Sequence, residues 1–174
     1  MLLILDINGL LCRKVEKDHA EADLVLSSYG VILRSGYAEF LEQCYANYDV
    51  AFFSSTTERN AEAILKALLS TTQFKQTQFI WYRDRISLDP DWHSDQIQSD
   101  SSWDDITWQK EEIKPHSTIK LLQNVWNNPM VNAQRKYNTH NTLICDDSAM
   151  KLRYNPRQNC LIVSAFTENT PKDD

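Results

Sequence analysis

Three acidic residues of this chain follow directly on short apolar runs. Residues 2–5 (LLIL) end at Asp6, and residues 142–145 (TLIC) end at Asp146 and Asp147. In a parallel α/β sheet, ligands collect at the carboxyl ends of the strands, where such residues meet. Carboxylates brought together repel one another unless a cation lies among them, and an oxygen-only site of this kind suits Mg²⁺. The pattern therefore predicts a magnesium site.

Two further polar signals belong to the same edge of the predicted sheet. Ser54 ends a second apolar run, VAFF (50–53), and residues 55–58 (STTE) fit a capping box that starts the next helix. Ser54 and that helix N-terminus are suited to hold phosphate oxygens. Lys120 lies within a helix predicted over 117–126. Its ammonium would neutralise the charge of both Asp6 and the phosphoryl group that is transferred. These residues together indicate phosphoryl chemistry.

The elements that must position these residues are predicted from apolar periodicity. Five short runs read as strands: 2–6, 50–53, 79–82, 142–146 and 160–166. Between the first two runs, apolar residues from Tyr37 to Tyr48 recur with helical spacing. Between the second and third runs, those from Ala61 to Leu69 do the same. The alternation predicts an α/β fold, a Rossmann-like parallel sheet flanked by helices.

Two stretches interrupt this alternation. Residues 12–33 resemble a β-hairpin inserted after the first strand, and residues 87–112 are acidic and carry Trp92, Trp103 and Trp108. We interpret the second stretch as an ordered insertion, because three tryptophans are unusual in disordered segments. At 174 residues the chain is expected to form one domain over 1–166, followed by a frayed tail over 167–174.

Composition excludes several classes of function. The net charge of −6 disfavours nucleic acid as a partner, since a phosphate-backbone footprint needs a basic face. No apolar run approaches the roughly 18 residues of a membrane span, and residues 2–5 are too few for a signal-peptide core. The four cysteines form no C-x-x-C pair and read as buried thiols, which predicts an intracellular, reducing compartment.

Four segments, in order, resemble the haloacid dehalogenase superfamily and, within it, the FCP-type phosphatases. LLILDINGLL (2–11) is similar to the family's D-x-D-x-T-L strand, and RSGYAEFLEQCYANYDVAFFSS (34–55) resembles its R-P-G-x-x-x-F-L helix and second motif. TIKLLQNVW (118–126) resembles the helix that bears the third-motif lysine, which favours Lys120 over Lys114. NTLICDDSAMKLRYNPRQNCLIVSAF (141–166) resembles the closing D-D-S-P segment, with Ala149 in place of proline.

The resemblance implies a mechanism. Asp6 would be the nucleophile that forms an aspartyl-phosphate, and Mg²⁺ would be held by Asp6, the backbone carbonyl of Asn8 and Asp147, with Asp146 nearby. The residue two positions after the nucleophile normally acts as general acid and base, but here it is Asn8, which transfers no proton at neutral pH. Leu10 also replaces the family's threonine. Loss of general acid–base catalysis typically costs about 10²- to 10⁴-fold in rate.

Simpler structural explanations exist for each residue. Asn8-Gly9 is a strong turn signal in any protein. One of Asp146 and Asp147 would serve equally well as a helix N-cap. Arg34 matches the family's loop arginine, but a surface ion pair is an equal explanation, and Lys120 would otherwise be a solvated helix charge.

Two functions therefore compete. The first is a magnesium-dependent phosphatase, weakened by Asn8, that acts on phosphoserine or phosphothreonine in a protein or on another phosphate monoester. The second is a catalytically degenerate binding module, a pseudophosphatase retained as a subunit of a larger protein assembly. Asn8, Leu10 and the tryptophan-bearing insertion motivate the second hypothesis.

Overall fold

The computed structural model describes residues 1–91 and 117–170. Within them the strands are β1 (Leu2–Leu5), β2 (Cys12–Val15), β3 (Leu24–Val25), β4 (Gly30–Leu33), β5 (Asp49–Phe53), β6 (Ile80–Trp81), β7 (Ser87–Leu88), β8 (Thr118–Ile119), β9 (Thr142–Asp146) and β10 (Cys160–Ile162). The helices are α1 (Tyr37–Asn47), α2 (Glu58–Leu68), α3 (Thr71–Gln76), α4 (Leu122–Asn127) and α5 (Ala149–Leu152). Of the helices described, none is long and apolar enough to cross a membrane.

A five-stranded sheet in the order β10-β9-β1-β5-β6 forms the centre of the fold, and all of its pairings are parallel. The predicted α/β class is therefore confirmed, and each of the five apolar runs contributes one strand. β1 lies in the middle, with Leu5 opposite Cys145 on one side and Phe52 on the other. Because the strands are parallel, their carboxyl ends share one edge of the sheet.

Both faces of this sheet are buried, as expected for parallel strands. Leu3 and Leu5 face a core that includes α1 and α2, whereas Leu2 and Ile4 face a second core that includes α4. The alternation of side chains along β1 explains why its whole run is apolar. All four cysteines are buried free thiols, and burial raises the pKa of Cys12 and Cys145 to about 12.

The insertion after β1 is a three-stranded antiparallel sheet in the order β2-β4-β3. The predicted hairpin is present as β3 and β4, and β2 pairs with the other side of β4. The predicted insertion over 87–112 begins with β7, which pairs with β8. Its three tryptophans lie outside the described residues. The division into one domain with a tail stays a prediction.

Two helix predictions were wrong in detail. Residues 118–119 form β8 and the helix begins only at Leu122, because pairing with β7 overrides the local helical preference. Lys120 therefore lies in the connection between β8 and α4. The capping box predicted over 55–58 is absent: Thr57 is the N-cap of α2 without a side-chain bond. The Thr56 amide is already bonded to Ser54 Oγ in the turn that leaves β5.

Candidate active site

The first component of the site is the turn that follows β1. The Asp6 amide donates to the Cys145 carbonyl (2.9 Å), and the Asp6 Oδ1 atom accepts from the Ile7 amide (2.8 Å). The chain then reverses at Gly9, whose φ of +87° favours glycine, and the Gly9 amide donates to the Cys12 carbonyl (2.7 Å). Asn8-Gly9 is thus a turn, and the same turn carries the candidate site.

The structure brings the three predicted acids together. One carboxylate oxygen each from Asp6, Asp146 and Asp147 lies within 4.8 Å of the others. Asp6 and Asp146 are buried, with 2% and 0% of their surface exposed. The backbone of Gly9 is packed so closely against Asp147 that a Cβ atom there would lie 1.9 Å from Asp147 Oδ2. Glycine at this position is therefore required by both the turn and the carboxylate beside it.

Lys120 joins the cluster from the connection between β8 and α4. Its Nζ atom lies 2.6 Å from Asp146 Oδ2 and 3.1 Å from Asp6 Oδ1, and its side chain is fully buried. Asn155 fixes the backbone around it, donating to the Lys120 carbonyl (2.7 Å) and accepting from the Leu122 amide (2.7 Å). Lys120 is not a solvated helix charge. Its rival, Lys114, lies outside the described residues.

The acids titrate differently because their surroundings differ. Burial raises the pKa of Asp147 to about 6, and the neighbouring Asp146 carboxylate contributes in the same direction. Burial also raises the pKa of Asp6, although Lys120 opposes the shift. For Asp146, burial again favours a higher pKa, but the Lys120 and Lys151 ammonium groups and the Ser148 amide together outweigh it and leave the pKa below its usual value. A divalent cation in the cluster would lower all three pKa values.

The free oxygen atoms of the cluster fit a hard cation. Among the described residues, Asp6 Oδ2 and Asp147 Oδ1 are buried oxygens of the acidic cluster with no hydrogen-bond partner, and Asn8 Oδ1 in the adjoining turn is also unpartnered. Buried polar atoms are rarely left without a partner, and the two carboxylate oxygens belong to one cluster, so they fit a bound cation. Carboxylate and amide oxygens are the donors that Mg²⁺ accepts in proteins. The donor set therefore suits the predicted metal.

The positions of Ser54 and Arg34 give weaker support to a phosphoryl site than those of the acids and Lys120. Ser54 lies at the carboxyl end of β5, fully buried, where its Oγ atom accepts from the Thr56 amide (3.2 Å). Within the described part of the chain, no hydrogen bond joins Ser54 to the acids. Arg34 donates to the Leu10 carbonyl (3.2 Å), and no ion pair to it is found within residues 1–91 and 117–170. The surface ion pair considered for Arg34 is therefore not formed with any of the described residues.

The helix-cap explanation of Asp146 and Asp147 is also wrong. α5 begins at Ala149, and its N-cap is Ser148, which makes no side-chain capping bond. Asp146 Oδ1 accepts from the Ser148 amide (2.9 Å). The other oxygen of the same carboxylate contacts Lys120. The two contacts together fix the orientation of Asp146 within the cluster.

Sequence reasoning missed two cationic residues that the closing segment carries. Lys151 Nζ lies 3.8 Å from Asp6 Oδ2, so a second lysine reaches the cluster. Arg153 is fully buried and binds Asp89 through both guanidinium nitrogens, at 2.7 and 2.5 Å. The sequence could have indicated Lys151, because it lies in the first turn after Asp146 and Asp147. The ion pair of Arg153 could be found only from the fold, since Asp89 is distant in sequence.

Comparison with known proteins places this chain in a family. The family model described as NLI interacting factor-like phosphatase matches residues 1–174. The chain belongs to this family. Among similar sequences, an FCP1 homology domain-containing protein of Schizosaccharomyces pombe is 32% identical over 177 residues, which cover 99% of this chain and 65% of the relative. The chain thus spans less than two thirds of that curated relative.

Two solved structures share the fold of this NLI interacting factor-like chain. The fission yeast RNA polymerase II CTD phosphatase Fcp1, bound to beryllium fluoride, has a TM-score of 0.52 and 14% identity over 95% of this chain and 42% of its own. A second structure, of Fcp1 as an essential RNA polymerase II CTD phosphatase, has a TM-score of 0.53 and 14% identity over 96% and 42%. The predicted haloacid dehalogenase fold and FCP-type resemblance are confirmed.

Proposed function

We propose that this protein is a magnesium-dependent phosphatase that forms an aspartyl-phosphate on Asp6 and turns over slowly because Asn8 replaces the general acid and base. One observation carries the proposal. Asp6 Oδ2 is buried and without a hydrogen bond, while the other oxygen of the same carboxylate contacts the buried Lys120 ammonium. A carboxylate held through one oxygen, with no hydrogen bond to the second, is arranged as a nucleophile.

The residues divide the chemistry among them. Asp6 Oδ2 attacks phosphorus, an O–P bond forms, and the ester P–O bond breaks; the leaving alkoxide takes its proton from solvent water. Lys120, between Asp6 and Asp146, orients the nucleophile and offers positive charge to the phosphoryl group. Mg²⁺ held by Asp6, Asn8 and Asp147 would stabilise the negative charge on the phosphoryl oxygens. Water then hydrolyses the acyl phosphate and regenerates Asp6.

Asn8 limits both halves of this cycle. The leaving alkoxide needs a proton, and the attacking water must lose one, but an amide does neither at neutral pH. General acid–base catalysis contributes about 10²- to 10⁴-fold, or roughly 3 to 5 kcal/mol of barrier. Esters whose leaving group departs without protonation are affected least in the first half.

For the substrate, we propose phosphoserine or phosphothreonine in a protein. Support comes from the structural neighbour, which is a phosphatase of the RNA polymerase II CTD. We further propose that the protein works in a reducing intracellular compartment, since its four cysteines are buried free thiols.

A second candidate is a degenerate binding module within a protein assembly. It is favoured by Asn8 and Leu10, which stand where the family pattern has an acid and a threonine. This candidate predicts that Asp6→Asn has no functional cost in the cell and that a protein partner co-purifies. The phosphatase proposal predicts that Asp6→Asn behaves like a deletion.

Phosphate release separates the two candidates. An aryl phosphate and a phosphoserine peptide are compared in wild type, Asn8→Asp and Asp6→Asn, each with and without Mg²⁺. We expect slow, Mg²⁺-dependent release from the aryl ester, a gain of about 10²- to 10⁴-fold on the peptide in Asn8→Asp, and none in Asp6→Asn. Fluoroberyllate binding with Mg²⁺ tests the phosphoryl site directly. No binding and no turnover, even in Asn8→Asp, would refute the phosphatase proposal.

A further inference from the structure

Lys151 reaches the acidic cluster from α5, and it contacts different carboxylate oxygens from those that Lys120 contacts. Its Nζ atom lies 3.8 Å from Asp6 Oδ2 and 3.9 Å from Asp146 Oδ1. Lys120 instead contacts Asp6 Oδ1 and Asp146 Oδ2. The two lysines therefore share the same two acids without sharing an oxygen.

The backbone holds Lys151 in this position. The Lys120 amide donates to the Lys151 carbonyl (2.8 Å), and the Lys151 amide donates to the Ser148 carbonyl (3.2 Å). These bonds fix the Cα of Lys151 beside the connection that carries Lys120. The two side chains differ in freedom, because Lys120 is fully buried whereas 26% of the Lys151 side chain is exposed.

Lys151 faces the acidic cluster at Asp6 Oδ2, the oxygen that the proposed reaction uses as the nucleophile. Asp6 Oδ2 is buried and has no hydrogen-bond partner, and Nζ of Lys151 stands just beyond hydrogen-bond distance from it. An ammonium so placed compensates the charge of the acids when no other cation is bound. The same ammonium repels a divalent ion held by these acids, and its partial exposure leaves it room to move away.

We propose that Lys151 is an internal cation of the site, which competes with the divalent ion for Asp6 and thereby sets the metal affinity. The inference rests on the proposed function only in taking the acidic cluster as the metal site.

Metal binding tests this inference without an activity measurement. Mg²⁺ binding is measured by calorimetry, and Mn²⁺ binding by the electron paramagnetic resonance signal of the free ion. The proteins are wild type, Lys151→Met, Lys151→Arg and Lys75→Met. Lys75 is an exposed lysine of α3, so its replacement removes the same charge away from the cluster.

We expect Lys151→Met to bind both ions at least tenfold more tightly than wild type, which corresponds to about 1.4 kcal/mol. Lys151→Arg keeps the charge and should stay close to wild type, as should Lys75→Met. In a chelator, Lys151→Met should melt at a lower temperature than wild type, because the acids lose a counter-charge, and Mg²⁺ should reverse the loss. A purely structural role for Lys151 would not be rescued by the ion.

The possible outcomes separate this inference from the proposed function. Equal or weaker binding in Lys151→Met overturns this inference while leaving the metal site in place. If neither wild type nor Lys151→Met binds either ion, both this inference and the metal part of the proposed function fail. Tighter binding in Lys151→Met, with no phosphatase activity in any variant, supports this inference and refutes the proposed function alone.

Discussion

Replacing Gly9 by alanine is expected to abolish divalent-cation binding in a protein that still folds. A Cβ atom at this position would lie 1.9 Å from Asp147 Oδ2 and 2.5 Å from Asp147 Cγ. Cβ atoms essentially never approach another heavy atom to within 3.0 Å, so the carboxylate must move. The shift is about 1 Å, beyond the roughly 0.5 Å within which a preorganised site must be held.

The stability cost of the change can be separated from its effect on the site. Gly9 has φ +87°, and an alanine held in the left-handed region costs about 1 to 2 kcal/mol. Gly36 has φ +72°, and no atom lies within 4 Å of the position that its Cβ would take, so Gly36→Ala carries the same backbone strain without a clash. For a chain of this size, such strain lowers the melting temperature by about 2 to 8 °C.

Two measurements on the pair test the reasoning. Calorimetric melting in a chelator should show similar losses for Gly9→Ala and Gly36→Ala. Mg²⁺ titration should show wild-type affinity in Gly36→Ala and no binding in Gly9→Ala. Wild-type affinity in Gly9→Ala would refute the assignment of Asp147 as a metal ligand, and equal loss of binding in both variants would mean that strain alone disrupts the cluster.

Two further predictions concern charge. Arg153→Met should lower the free energy of unfolding by about 3 to 5 kcal/mol, because it leaves buried Asp89 without its bidentate partner. Urea denaturation measures this loss. Adding Asp89→Asn to the same protein should recover part of it. Metal affinity should fall about tenfold per pH unit below pH 6 and level off above it, because the proton that binds Asp147 with a pKa of about 6 competes with the ion. Titrations at pH 5, 6 and 7 that gave one dissociation constant would contradict this.

The strand ends could be predicted from the sequence because apolar runs are local signals. Asp6, Ser54 and Asp146 each follow such a run, and the parallel sheet brings the ends of those runs to one edge. The convergence of Asp6, Asp146 and Asp147 followed from that topology alone. The structure adds that β1 pairs directly with β9, which makes Asp6 and Asp146 neighbours at that edge.

What could not be predicted depends on pairing between distant segments. Residues 118–119 have helical neighbours, yet they form β8 because β7, far earlier in the chain, pairs with them. That pairing moves Lys120 from a helix to an extended connection. Short-range patterns carry no information about this pairing. The position of Lys151 in the first turn after Asp146 and Asp147 was a local signal, but its contact with Asp6 becomes visible only in the fold, where its carbonyl accepts from the Lys120 amide.

The pairing of β7 with β8 also fixes the described residues on either side of residues 92–116. The Asp89 amide donates to the Ser117 carbonyl (2.8 Å), and the buried Arg153 binds Asp89 through two hydrogen bonds. Lys120 lies one residue beyond β8, so these contacts also hold the backbone from which Lys120 reaches the acids. Changes in the sequence of residues 92–116 should therefore leave Lys120 in its place beside Asp6 and Asp146.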